Sequence, residues 1–289
     1  MDTTLLTSSI IFGLSMGSIF FLMAIGLSLC FGLMRIISLD QLLYYSLGAY
    51  ITYSLVAATG NFWFGAILGM AGAGLASLMV ERFIFRRIYE RDITFSMITS
   101  FGILLAGVGG IKYVWGLVPR PVAAPITRQV AFLHTSIPEY RIIIIVIAFL
   151  VYVGIWAFLN KTIIGKAIRA GIEDVEKVEG LGINVYRLFT LTFIISGALS
   201  GLAGALYAPL IMVGPDMGLE IIAFVFMVVI IGGLGSIKGT MVSALIVGQV
   251  ISLGSMVYAP LAKMAPFAIM LLILLIKPTG LYGSKLLKR

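Results

Sequence analysis

The sequence predicts an all-α fold, a polytopic integral membrane helix bundle of about eight or nine transmembrane or partly re-entrant helices. Three observations predict it. The chain is 61% hydrophobic and 11% charged, whereas a soluble domain carries about 25% charged residues. Its mean hydropathy is +1.12. Residues 5–34, 142–160, 188–215 and 221–237 contain no charged side chain, and about 20 apolar residues suffice to cross a bilayer. No polar stretch is long enough to build its own core, so residues 1–289 read as one membrane domain.

The first candidate span is 5–29. Its apolar run continues to Met34, too long for one upright helix and too short for two. It reads as a tilted span or as a span followed by a re-entrant half-helix. Residues 42–58, 62–80 and 95–115 follow, the last two separated by the basic loop ERFIFRRIYERD at 81–92. Residues 116–139 carry four of the nine prolines and read as an ordered outer loop. The single histidine, His134, lies there, so no histidine cluster exists to hold a metal. Residues 142–159 form the next span. Candidates at 188–209, 220–233, 240–258 and 265–276 complete the set, the short ones permitting discontinuous helices. Gly13 and Gly17, Gly65 and Gly69, Ala73 and Ser77, Gly197 and Gly201, and Gly204 and Ala208 stand four apart. Such pairs let helix backbones approach closely.

Between two long apolar runs lies one polar island, residues 160–187, NKTIIGKAIRAGIEDVEKVEGLGINVYR. From 172 to 185 its periodicity is helical. Ile172, Val175, Val178 with Glu179, and Leu181 recur on one face, and Glu173, Asp174, Glu176 and Lys177 on the other. An amphipathic helix between two spans suits docking to a soluble partner. If the island is cytoplasmic and the spans alternate, fifteen of the twenty Lys and Arg fall on that side, as the positive-inside bias requires. The net charge of +8 then needs no nucleic-acid partner. Cys30 is the only cysteine, which excludes an intramolecular disulfide. The MDTT start lacks the basic region of a cleaved signal peptide.

Catalytic signatures are missing. The stretch GGLGSIKGT at 232–240 lacks the Gly-Lys-Ser/Thr of a phosphate loop. There is no nucleophile elbow, no metal set and no cofactor motif, so the chain reads as a non-catalytic transport subunit. Two glycine-interrupted apolar segments occupy comparable places in the two halves, SLDQLLYYSLGAY at 38–50 and GLEIIAFVFMVVIIGGLGS at 218–236. Paired broken segments point to a translocation site. The path candidates are Ser38, Asp40, Gln41, Tyr44, Tyr45, Gly48 and Tyr50 in the first, and Gly232, Gly233, Gly235 and Ser236 in the second. Asp40 and Gln41 either line the path or sit solvated at the inner interface. Apart from Asp40, Glu220 and Lys112 the spans are bare of ionisable groups, which argues against a carrier driven by an ion gradient.

GLSLCFGLMRIIS at 26–38, the island with the span after it at 165–206, FVFMVVIIGGLGSIKGTMVSALIVG at 224–248 and KPTGLYG at 277–283 together resemble the permease subunits of branched-chain amino acid ABC importers, the LivH-type permeases. The resemblance covers nearly the whole chain in order and spacing. It departs at one place. Where that family usually shows N-F-A-H-G, this chain has Ser38-Leu39-Asp40-Gln41-Leu42, while Gly48-Ala49-Tyr50 keeps its register. The resemblance implies a bacterial or archaeal inner-membrane importer of branched-chain or related amino acids. It implies a second homologous permease, two ABC ATPase subunits and an extracytoplasmic solute-binding protein as partners, beside membrane lipid. The coupling contacts it implies are Ile172, Glu173, Asp174, Val175, Glu176, Val178, Glu179, Leu181, Gly182 and Ile183. The same machine for urea, an amide, an aromatic acid or a sugar is the alternative that the changed stretch leaves open.

Overall fold

The computed structural model describes residues 3–89, 91–132 and 135–283; His134 lies outside the described residues. The first apolar run forms one unbroken helix, α1 (Thr3–Met34), with no re-entrant break. At about 1.5 Å per residue it exceeds the hydrocarbon thickness, so it crosses at a tilt. Next come α2 (Gln41–Thr59), α3 (Phe62–Phe83) and α4 (Ile93–Trp115). The proline-rich loop after α4 contains a short antiparallel hairpin, β1 (Gln129–Phe132) and β2 (Thr135–Pro138), an addition to the expected all-α fold. After α5 (Glu139–Lys161) the island forms α6 (Ile163–Glu173) and α7 (Val175–Gly180). Then follow α8 (Val185–Tyr207), α9 (Met217–Gly232), α10 (Ile237–Val257) and α11 (Ala259–Ile276).

Among the described residues six helices are long and apolar enough to cross a membrane: α1, α3, α4, α5, α8 and α10. The shorter apolar helices are α9 and the segment Pro260–Ile276 of α11. Although 19 residues long, α2 is not among the six. Its polar and tyrosine-rich inner half is buried by protein, from Gln41 to Ser46.

Helix starts are set by short polar side chains that accept an orphan backbone N–H. Asn61 Oδ1 accepts from Phe64 N at 3.2 Å, Thr162 Oγ1 from Gly165 N at 3.0 Å, and Asp174 Oδ1 from Lys177 N at 3.2 Å. Asn184 Oδ1 caps α8 through Arg187 N, and Ser236 Oγ caps α10 through Gly239 N, both at 3.2 Å.

The bundle is held by small residues. Gly48, Gly69 and Gly201 meet where α2, α3 and α8 cross, each facing backbone of a neighbouring helix. Gly197 lies against Ala73 and Ser77 of α3, and Ser77 Oγ donates to Phe193 O at 2.6 Å. On the other side α1 runs antiparallel to α10, with Gly13 and Gly17 against Gln249, Ala244 and Gly248. In the middle Gly26 of α1 lies against Ser196 of α8. Thus α1 and α8 form the centre of the bundle, and α4 and α5 lie at its rim with only 22% and 17% of their apolar windows buried. At the end opposite the island Arg120 and Val213 exchange backbone hydrogen bonds of 2.9 and 2.8 Å. Lys112 Nζ pairs with Asp216 at 2.9 Å there.

Candidate functional site

Two polar regions occur at the end of the bundle that carries the island. The first is closed. Between α1 and α2 the chain turns through residues 35–40, and Ser38, Asp40 and Gln41 are buried, at 0%, 0% and 2% exposure. Asp40 accepts from Ser38 Oγ and, at 2.6 Å, from Tyr44 Oη. Gln41 Nε2 donates to Ser38 Oγ, and Gln41 Oε1 accepts from Ser200 Oγ of α8 at 2.9 Å. Cys30 lies against Ser196 and Gln41 in the same network. From the other side Ser100 of α4 donates to Ile37 O at 2.9 Å and accepts from Leu39 N at 3.2 Å. The turn is therefore fastened to α1, α4 and α8 at once. Asp40 is not solvated: its carboxylate stands just ahead of α2, where the helix dipole favours negative charge.

Further along α2, Gly48 does not interrupt the helix as a half-helix would; it sits inside unbroken α2 against Gly201. Tyr45 and Tyr50 are fully buried, and their hydroxyls have no hydrogen-bond partner among the described residues. Tyr50 packs on Trp115 with ring centroids 5.2 Å apart.

The other segment does break. After Gly232, Gly233 and Gly235 take φ of +94° and +81°, a region that side chains with a Cβ rarely adopt. Leu281 N and Tyr282 N, just past the prolyl-threonyl-glycine turn, donate to Ile231 O and Gly232 O at 2.8 and 3.1 Å. This turn does not join the Asp40 network. It faces the island instead, with Gly235 close to Gly32 of α1 and beside Ile172 of α6.

The second region is this island. The single helix expected from 172 to 185 is divided, because Asp174 leaves helical geometry (φ −160°, ψ 105°) to cap α7. A salt bridge of 3.0 Å from Lys177 Nζ also reaches Asp174, and its hydrogen bonds from Lys177 hold the carboxyl below the usual range. Inward, Val178 is buried to 2% exposure, and Ile172, Val175 and Ile183 pack on the core. Outward stand Glu173, Glu176 and Glu179. Leu181 differs from expectation: beyond the end of α7 it points out, at 77% exposure, followed by Gly182 with φ +77°. The island thus presents Glu173 at the end of α6, Glu176 and Glu179 on the short, well-anchored α7, and the bare Leu181 just past it. Beside it, α5, α6 and the α9–α10 turn enclose a cleft of about 490 Å³ whose lining includes Arg169, Glu173, Ser236 and Lys238.

One buried ionisable group was placed in a loop by the sequence reading. Glu81 belongs to α3 and has 0% exposure. Its Oε1 accepts from Tyr89 Oη at 2.7 Å and its Oε2 from Thr190 Oγ1 of α8 at 3.0 Å. Tyr89 in turn packs edge-on against Phe189, centroids 5.0 Å apart. The signal for it was spacing: Ala73, Ser77 and Glu81 stand four apart on the face that packs α8. Glu81 ties the basic α3–α4 loop to the first turns of α8, immediately after the island. Glu81→Leu leaves the Tyr89 hydroxyl without its acceptor, whereas Thr190 keeps Tyr186 O, and should lower stability by about 2 kcal/mol, with Glu81→Gln retaining most of it. Thermal unfolding of the purified protein in detergent checks this.

Residues 9–274 match the family described as "Branched-chain amino acid transport system / permease component". The chain is 28% identical over 291 residues to the high-affinity branched-chain amino acid transport system permease protein LivH of Escherichia coli K12, covering 94% of this chain and 93% of that one. It is 27% identical to LivH of Salmonella typhimurium, with the same coverage. It is also 27% identical to BraD of Pseudomonas aeruginosa, a permease protein of the same description, with 94% of each chain covered. No solved structure matches the chain.

Proposed function

Because the chain belongs to the family of branched-chain amino acid transport permease components, we propose that it carries branched-chain or related amino acids across the inner membrane as one of two permeases in an ABC importer. Two ATPase subunits supply the energy, and an extracytoplasmic binding protein delivers the solute. This chain makes and breaks no covalent bond.

The observation that carries the coupling part of this reading is the outward face of the island. Glu176 and Glu179 stand exposed on α7, whose other side is anchored by Val178, flanked by Glu173 at the end of α6 and Leu181 just past α7. A groove on an ATPase receives that face. ATP-driven closure of the ATPases moves α6 and α7, and the movement reaches α1 and the α9–α10 turn through Ile172, which packs beside Gly32 and Gly235. Helices α2 and α8 follow as rigid bodies because their glycine contacts leave no room for independent sliding. ATP has an effect only through different contacts in the two states. On the path side, the inner end of α2 is the proposed gate: Ser38, Asp40, Gln41 and Tyr44 open toward the solute when α2 and α8 move together away from Ser100 of α4.

A second reading, the same machine for another small polar solute, is favoured by one observation. Asp40 and Gln41 stand where the family pattern has other residues, and their network fixes the geometry of that gate. One experiment tests both. The complex is purified through this chain, reconstituted in liposomes, and assayed for ATP-dependent uptake of labelled leucine with other solutes as competitors. Leucine uptake that requires the ATPases supports the first reading. Uptake of another solute with no competition by leucine favours the second. Solute movement by this chain alone without ATP would overturn both.

A further inference from the structure

The cleft beside α6 lies at the inner end of α5, where a 23-residue apolar helix gives way to Asn160 and Lys161. Its rim carries two cations, Arg169 and Lys238. Neither forms a salt bridge among the described residues; Arg169 donates to Asn160. Glu173 is the one carboxylate in the lining. Lys161, the last residue of α5, and Lys166 of α6 are exposed on either side of the α5–α6 junction. The apolar surroundings are equally uneven. Trp156 lines the cleft and is 41% exposed one turn above Asn160. Ile163 and Ile164, the first residues of α6, are 86% and 49% exposed. Two bare isoleucines between lysines cannot face water cheaply, and a solute-sized polar site would have no use for them.

We propose that this cleft binds the headgroup of an anionic phospholipid of the inner leaflet. Arg169 and Lys238 take the phosphate, Trp156 sits at the headgroup level, and the acyl chains run over Ile163 and Ile164. Basic pockets between helices on the cytoplasmic side are suited to such headgroups, and tryptophan is enriched at that depth. The volume of about 490 Å³ accommodates a glycerophosphate group with its substituent. The membrane-near half of the island thereby rests on lipid, leaving the outward face of α7 free. This holds whether or not α7 docks an ATPase.

The test uses the intact complex and native mass spectrometry, with phosphatidylglycerol and phosphatidylcholine of equal acyl chains offered together. The expected result is retention of one phosphatidylglycerol per copy of this chain, preferred roughly tenfold. The preference should fall to near parity in R169Q/K238Q and persist in K263Q, which removes a charge from the far face. A second variant, Ile163→Ser, should weaken retention of both lipids alike. Equal loss of preference in K263Q, or none in R169Q/K238Q, would overturn the proposal. So would loss of the ATPase subunits from R169Q/K238Q with lipid retention unchanged, since the cations would then serve a protein contact.

Discussion

Gly201→Leu should abolish recovery of folded protein. At position 201 any Cβ meets Ala73 of α3 and the carbonyl of Gly69, while the same stretch of α8 faces Gly48 of α2. The contacts are largely backbone on helices that are themselves fixed, so no side chain can rotate away. Even Gly201→Ala forces a helix to shift, at a cost of about 1–3 kcal/mol, and leucine exceeds that. The expected readout is a monodisperse size-exclusion peak in detergent for the parent, a peak with a lowered unfolding temperature for alanine, and aggregate for leucine. Gly102→Leu is the matched control. It lies on α4 with nothing within 4 Å of an added Cβ, so it should leave the profile unchanged. A normal peak for Gly201→Leu would mean that α2, α3 and α8 do not cross as described.

Reversing the outward charges of the island, as Glu173→Lys, Glu176→Lys and Glu179→Lys together, should leave the protein inserted and folded yet lower ATP-dependent uptake at least tenfold. These three side chains are exposed and are not required by any cap. Asp174 is deliberately spared, because it caps α7 and pairs with Lys177. A tenfold loss corresponds to about 1.4 kcal/mol of contact with the ATPase, modest for three reversed charges at an interface. Uptake and ATP hydrolysis are measured side by side. Hydrolysis that continues without uptake indicates broken coupling, whereas uptake at the parental rate would remove the island from the mechanism.

Much of the fold was legible in the sequence because bilayer physics is coarse. Each apolar run of the required length became a helix, and the polar residues ahead of α3, α6, α8 and α10 became caps. The small-residue pairs found their partners for the same reason: in lipid, close backbone approach is what holds helices together. What could not be read depends on tertiary choice. Asp174 could either continue a helix or cap one, and periodicity alone favours continuation; the capping bond decided otherwise. Glu81 continues the four-residue spacing of Ala73 and Ser77, but it opens a run of charges that reads as loop, and only the packing of α3 on α8 shows it turned inward. Leu181 matched the apolar face by spacing but fell after the helix had ended. Gly48 looked like a break and is a contact, since glycine serves both purposes. The closed network of Asp40 lies furthest from the sequence, because its partners come from α2 and from the turn before it, and Gln41 beside it reaches Ser200 of α8 only in the folded bundle.

The pairing of α1 with α10 bears on how the protein is made. The glycine face of α1, at Gly13 and Gly17, is covered by a helix that begins at Ile237. About 200 residues of chain separate the end of the one from the start of the other. At roughly 5–20 residues per second, the ribosome delivers that cover some 10–40 s after α1 has emerged. Throughout that interval a newborn α1 presents its closest-packing surface to whatever is beside it, whether lipid, an insertase or a helix from another nascent copy. Premature pairing between two such helices is the misassembly this topology most exposes itself to, and slowing translation after α1 should increase it.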